Sequence, residues 1–189
     1  MAISKIKVAV GMSGGVDSSV AAYLLKESGY EVKGIFMKNW EEDDSDECSS
    51  KKDYEDARRV CNHLGIELNL VNFSDKYWVN VFETFISELK KGFTPNPDVF
   101  CNKEIKFKQY YDYAMSLNFD LIATGHYARK KSLSVPELHI PKDAIKDQTY
   151  FLYMMNQDVL KNTLFPLEQL NKDEVKIIAK DLKLNLNHK

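Results

Sequence analysis

The stretch Gly11-Met12-Ser13-Gly14-Gly15-Val16-Asp17-Ser18-Ser19 constrains this chain more than any other. It follows Lys5-Ile6-Lys7-Val8-Ala9-Val10, a short run rich in Val, Ile and Ala that reads as a buried strand. It leads into residues 19–27, where Val20, Leu24 and paired alanines recur at helical spacing. The order is strand, Gly/Ser loop, helix. Two adjacent glycines allow a sharp turn and a close backbone approach to a ligand. Ser13, Ser18 and Ser19 add hydroxyls. The N–H groups and dipole at a helix start favour an anion. The stretch predicts a phosphate cradle.

A phosphate loop of the Gly-x4-Gly-Lys-Ser/Thr kind needs a lysine. None lies between Gly11 and Leu25, and the GxGxxG dinucleotide pattern is absent. What remains, Ser-Gly-Gly-Val-Asp-Ser-Ser, resembles the pyrophosphate-binding loop of the ATP pyrophosphatase family, whose members transfer AMP and release pyrophosphate. Asp17 is then a candidate Mg2+ ligand, because Mg2+ takes one or two carboxylates and keeps phosphate oxygens and water. The same residue suits a helix N-cap, and both roles can hold.

The chain has 189 residues, 44% hydrophobic and 29% charged, which suits one soluble domain and the start of another. No apolar run approaches a membrane span. The N-terminus runs straight into the first strand, so no signal or transit peptide is expected. Three cysteines do not make a disulfide scaffold, and a reducing, cytoplasmic setting fits. The net charge of −2 excludes a bulk nucleic-acid binder. Residues 41–47 form an acidic run. Lys90-Lys91, the group Lys103, Lys106 and Lys108, and Arg129-Lys130-Lys131 are expected as solvated basic faces that can meet phosphates locally.

Along the chain, strands are expected at residues 31–37, 66–73 and 120–124, and helices at 53–64, 74–92 and 101–117. The segment 93–98 carries Pro95 and Pro97, which argues against a regular helix there. Strands alternating with helices imply an α/β fold, a parallel sheet with helices on both faces, with ligands outside the carboxyl ends of the strands. A hairpin is expected over 129–140 and a helix capped by Asn171 and Glu174 near the end, in a short, partly helical second segment that seals no core.

The second informative stretch is Asn96-Pro97-Asp98-Val99-Phe100-Cys101-Asn102-Lys103-Glu104-Ile105-Lys106-Phe107. Cys101 is read as opening a helix, where the dipole and Lys103 would lower its thiol pKa. Asp98, three residues earlier, can move protons, although its charge opposes thiolate formation. Cys61, on an apolar helix face, and Cys48, in the acidic loop, are read as non-catalytic.

Five ordered segments now carry a resemblance: the Gly11 to Ser19 loop, Phe36-Met37-Lys38-Asn39-Trp40-Glu41-Glu42-Asp43-Asp44, residues 94–107, Thr124-Gly125-His126-Tyr127, and Lys146-Asp147-Gln148-Thr149-Tyr150-Phe151-Leu152. Together they resemble the tRNA-specific 2-thiouridylase family. The resemblance implies an adenine nucleotide alpha-hydrolase-like, Rossmann-type fold. It divides the chain into a nucleotide-binding catalytic domain at 1–128 and a tRNA-contacting extension at 129–189. It implies that the wobble uridine of a tRNA anticodon is flipped, adenylated at its C2 oxygen by ATP with Mg2+, and thiolated by a persulfide as AMP leaves. Gly11, Met12, Ser13, Gly14, Gly15, Val16, Asp17, Ser18, Met37 and Gly125 would hold ATP. Asn96, Pro97 and Asp98 would meet the base, Cys101 would be a catalytic thiol, and His126, Lys146, Asp147 and Gln148 would touch tRNA. A sulfur-relay protein or other persulfide donor is the implied partner.

The resemblance has one departure. The family's second catalytic cysteine follows the helix that here ends near Leu182, and neither it nor the family's C-terminal parts are in this sequence. Cys101 would then accept sulfur directly, or free sulfide would attack. The alternatives are a module that binds ATP and tRNA without turnover, or another adenylating enzyme with the same loop.

Overall fold

A computed structural model gives the fold, and the structure describes residues 5–40, 49–184 and 186. The strands are β1 (Lys7–Met12), β2 (Glu31–Lys38), β3 (Leu68–Asn72), β4 (Leu121–Ala123), β5 (Arg129–Lys131), β6 (Glu137–His139) and β7 (Thr163–Leu164). Along β1, Val8, Val10 and Met12 enter one core layer and Ala9 the other, because successive strand side chains point to opposite faces. All of β1 after Lys7 is buried, as a central strand covered on both faces must be. The sheet order is β3-β2-β1-β4-β7, every pair parallel. The chain moves outward from β1 through β2 to β3, then returns to the other side of β1. That reversal between β1 and β4 opens a crevice at their carboxyl ends.

Helices α1 (Val16–Glu27) and α2 (Ser49–Leu64) cover one face through Val20, Ala21, Ala57 and Val60. Two longer rods cover the other. The first runs from α3 (Ser74–Tyr77) through a π-helical stretch, Trp78–Phe82, into α4 (Glu83–Lys90). The second runs from α5 (Pro97–Phe100) through the π-helical Cys101–Gln109 into α6 (Tyr110–Ser116). Val81, Ile105, Phe107 and Tyr110 are their buried anchors. The Tyr110 hydroxyl is wholly buried and donates to the Ala9 carbonyl at 2.8 Å, with the Ala123 carbonyl at 3.3 Å. It ties β1 to β4 beneath the crevice. Tyr110→Phe strands these acceptors and is expected to cost about 1–2 kcal/mol, read as a lower urea midpoint at unchanged m-value.

The α/β expectation holds, with corrections of detail. Helix α1 begins three residues earlier than expected and α2 four. Pro97 does not end helix: it is the first residue of α5, where its missing N–H costs nothing. The segment 129–189 is not set apart from the sheet. The β5–β6 hairpin forms as expected, then α7 (Gln157–Lys161) leads into β7, which pairs with β4. Finally α8 (Lys172–Asp181) sends Val175 and Ala179 into the core beside α1. Its capping box forms as read, with Asn171 Oδ1 accepting from Glu174 N at 2.9 Å and Glu174 Oε2 from Asn171 N at 2.7 Å. The acidic run 41–47 and Cys48 lie outside the described residues.

Candidate functional site

The loop after β1 turns at Gly14, whose φ of +73° only glycine adopts without strain. Gly15 is the N-cap of α1, and Asp17 lies in the first turn rather than at the cap. The hydroxyls hold the loop in shape. Ser18 Oγ donates to the Gly15 carbonyl at 3.1 Å and accepts from Ser13 N at 3.2 Å. Ser19, fully buried, donates to the same carbonyl at 2.7 Å, so its role is structural. Gly125, just beyond β4, meets the start of α1 so closely that a Cβ there would lie 2.7 Å from Ser18 N.

Asp17 is held from two distant parts of the chain. Its carboxylate accepts from Tyr127 Oη at 3.0 Å and from Lys172 Nζ at 2.6 Å. Burial and the Asp17 charge push the Tyr127 hydroxyl up, so it stays a donor. Lys172, from the start of α8, brings a cation to a loop that lacks one. Its Asp17 pairing spans the whole fold, so its place could not be read locally.

These elements enclose a cleft of about 380 Å3 at the carboxyl ends of β1, β2 and β4, within the usual range for a small ligand, roughly 300–1,000 Å3. Of the expected nucleotide residues, Gly11, Met12, Ser13, Asp17, Ser18, Met37 and Gly125 line it. Gly14, Gly15 and Val16 complete the loop behind them. Phe36, Asn39, Trp40, Lys106 and Thr124, all within the segments that carry the resemblance but given no role there, also line it, together with Ser50 and Asp53, which the sequence does not mark. Asn39, Trp40 and Thr124 follow the carboxyl ends of β2 and β4, where ligands of such sheets bind. Asn39 Oδ1 is buried with no partner among the described residues, an acceptor in the cleft wall that a ligand donor would satisfy.

His126 lines the same cleft and is buried. Its Nε2 lies 3.4 Å from Lys106 Nζ and its Nδ1 2.9 Å from Thr124 Oγ1. A lysine ammonium only donates, so Nε2 accepts and Nδ1 carries the proton. Burial first, and then the Lys106 charge, hold this imidazole well below the usual histidine range, and it stays neutral. Gln148 lines the cleft and its Oε1 accepts from Tyr127 N at 2.9 Å. Lys146 and Asp147 stand off it: Lys146 is exposed, and Asp147 Oδ1 caps the following turn by accepting from Thr149 N at 2.9 Å.

The thiol is placed differently from the reading above. Cys101 does not open its helix; Pro97 does, with Asn96 as the cap whose Oδ1 accepts from Asp98 N at 2.9 Å. The thiol sits one turn further in, beyond the reach of the terminal dipole. Lys103 pairs with Glu104 instead. Burial pushes the Cys101 thiol up, Lys106 pulls against this, and Asp98 adds to the rise. Asp98 and Cys101 share a helix face at i, i+3 spacing. Tyr77 joins them, its hydroxyl raised by burial and by both of their charges. Tyr77 packs against Trp40 with the rings tilted by 52° and their centroids 4.7 Å apart, and Trp40 lines the cleft. The thiol therefore adjoins the nucleotide-sized cleft across an aromatic wall and Lys106. Burial pushes the Cys61 thiol up to about 12, which marks a core residue.

A five-stranded parallel sheet with a lysine-free pyrophosphate loop at its switch point defines the pyrophosphatase-loop class of nucleotide-binding α/β proteins. The chain belongs to the family described as "tRNA methyl transferase HUP domain", whose model matches residues 6–189. It is 56% identical over 184 residues to the tRNA-specific 2-thiouridylase MnmA of Tolumonas auensis, covering 96% of this chain and 50% of that protein. It is likewise 56% identical over 190 residues to MnmA 1 of Geobacillus kaustophilus, covering 99% of this chain and 51% of that one. The chain thus spans about half the length of the curated relatives it matches. Among solved structures it resembles the U34-tRNA thiolase NcsA of Methanococcus maripaludis, with a TM-score of 0.61 and 25% identity over 95% of this chain and 57% of that one. It shares its fold with a 4-thiouridine synthetase solved with RNA and ATP, with a TM-score of 0.61 and 16% identity over 94% and 41% of the two chains. The resemblance read from the ordered motifs is borne out.

Proposed function

We propose that this chain binds ATP and a tRNA and carries the activation step, and one thiol, of uridine 2-thiolation at the anticodon wobble position. The observation that supports this best is the cleft's composition: a lysine-free pyrophosphate loop on one side, and on the other a Cys101–Asp98 pair one helical turn apart behind Trp40 and Tyr77. The relatives named as tRNA-specific 2-thiouridylases agree with it.

In this reading ATP supplies the AMP group that makes the C2 oxygen of uridine a leaving group. The 11–18 loop and Gly125 cradle the pyrophosphate end, Met37 meets adenine through its backbone, and Asn39 Oδ1 accepts from the adenine amine. Mg2+ fits beside Asp17, since it needs few carboxylates when phosphates complete its shell. No group of three or more potential ligands occurs among the described residues. Asn96 keeps its Nδ2 for the base because its Oδ1 caps α5. Asp98 relays a proton at the base. Cys101 takes sulfane sulfur from a persulfide donor by thiol–persulfide exchange, the outer sulfur displaces AMP at C2, and a second, external thiol cleaves the S–S bond that results; free sulfide displaces AMP without using Cys101. His126, Gln148, Lys146 and Asp147 face the tRNA backbone. No described helix is long and apolar enough to cross a membrane, and a tRNA substrate implies the cytoplasm.

The test is one reaction holding the chain, ATP, Mg2+, unmodified tRNA and sulfide, with pyrophosphate assayed and digested nucleosides read by mass spectrometry. 2-Thiouridine with pyrophosphate is expected. Pyrophosphate that does not depend on tRNA would sink the reading. The second reading, binding without turnover, is favoured by the chain's spanning about half of its relatives; it is met if both ligands bind and no pyrophosphate appears.

Lys172→Met tests the cation brought by α8. Asp17 would then face the phosphates unopposed, and ATP affinity is expected to fall about tenfold, roughly 1.4 kcal/mol, by titration calorimetry. Unchanged affinity would confine Lys172 to tethering α8.

A further inference from the structure

Lys106 is the only lysine lining the cleft among the described residues, and the 11–19 loop has none of its own. It stands five residues after Cys101 on the π-helical segment Cys101–Gln109. On an α-helix, at about 100° per residue, positions five apart lie roughly 140° apart around the axis. A π-helix bonds residue i to i+5 and brings such positions back to nearly the same side. The backbone then leaves helical geometry at Phe107, with φ −107° and ψ 16°. Such departures from the α-helix concentrate at functional sites. The Phe107 ring lies 5.8 Å from that of His126, whose Nε2 takes a hydrogen bond from Lys106. Lys106 thus lines the cleft, bonds His126, and lies near enough to Cys101 for its charge to act on the thiol.

We propose that Lys106 is the shared cation of this site: its ammonium meets the AMP phosphate of the nucleotide on the cleft side and the Cys101 thiolate on the other. The phosphate half rests on the nucleotide reading above, and the thiol half does not. The cradle takes the pyrophosphate end, so the phosphate left beside it is the one that carries the activated base, and that base must reach Cys101. A single ammonium between the two lowers the repulsion between an anionic phosphate and an approaching thiolate. Neutral His126 orients it without competing for charge. Around the thiol, burial and Asp98 on α5 oppose ionisation, and Lys106 alone among the charges acting on it favours it. Lys103 and Lys108 are taken up by Glu104.

The experiment uses the full chain with Cys48→Ser. Cys61 stays silent, being buried with its thiol pushed up to about 12. Lys106→Gln is expected to move the pH profile of iodoacetamide alkylation at Cys101 upward, cutting the rate at pH 8 about three- to tenfold, and Lys106→Arg to restore it. A profile that does not move overturns the thiol contact. AMP affinity is expected to fall about tenfold in Lys106→Gln while adenosine affinity holds. Equal losses for both, or no loss for AMP, overturn the phosphate contact. If the unsubstituted chain binds neither AMP nor ATP, the nucleotide reading falls together with the phosphate contact, and the alkylation profile still decides the thiol contact.

Discussion

Gly125→Ala is expected to lower ATP affinity at least about a hundredfold, roughly 2.8 kcal/mol. A Cβ at this position would sit 2.7 Å from Ser18 N, 2.8 Å from the Asp17 carbonyl carbon and 3.0 Å from Ser18 Cα. All three are backbone atoms of the first turn of α1, so no side chain can swing aside. The first turn of α1, the proposed phosphate cradle, must move off β4, taking Asp17 from Tyr127 and Lys172. Folding stability is expected to fall as well, by about 1–3 kcal/mol, the usual cost of overpacking. Gly29→Ala is the control. That residue has φ +87° but nothing within 4 Å of an added Cβ, so it strains the backbone and leaves the cleft alone. Equal ATP affinity in the two variants, by titration calorimetry, would show that the Gly125 approach does not shape the site.

Cys101→Ser carries the second large effect. With a persulfide donor and an added thiol in place of free sulfide, thiouridine formation is expected to drop at least about a thousandfold, roughly 4 kcal/mol of barrier, while tRNA-dependent pyrophosphate release stays within about threefold. A serine hydroxyl fills the space but does not ionise near neutrality and cannot carry sulfur. The pH profile sharpens the test. Burial and Asp98 hold the thiol above its ordinary value, so it is protonated at pH 7. Thiolation should therefore rise about tenfold per pH unit through neutrality and level off only in the alkaline range. Thiouridine made at an undiminished rate by the serine variant would remove Cys101 from the chemistry.

The two predictions differ in how far their residues could be read in advance. The loop from Gly11 to Ser18 was legible because its chemistry is local: consecutive glycines and hydroxyls between an apolar run and a helical one can do little else. The capping box of Asn171 and Glu174 was legible for the same reason, both partners lying within one turn. Cys101 stands elsewhere than the sequence implies. Pro95 and Pro97 argue against a regular helix, yet Pro97 starts one, as a proline at the first helical position can. The thiol's environment then changed from a helix end to a buried second turn, and the direction of its titration reversed.

Strand β7 is two residues long and leaves no periodicity to detect; it exists because β4 offers an unpaired edge. Lys172 and Asp17 are 155 positions apart, and only the packing of α8 on α1 brings them together. Lys106 looked like one of three lysines on a solvated face. The π-helical winding after Cys101 separates it from Lys103 and Lys108, which stay with Glu104, and turns it to the cleft. Sequence by itself determined the strand–loop–helix cradle, the alternation that builds a parallel sheet, and the family, because each is carried by neighbours along the chain. Tertiary structure alone decided which charges face the cleft and which way the thiol titrates, because Coulomb and desolvation energies depend on distances and burial that chain order does not specify.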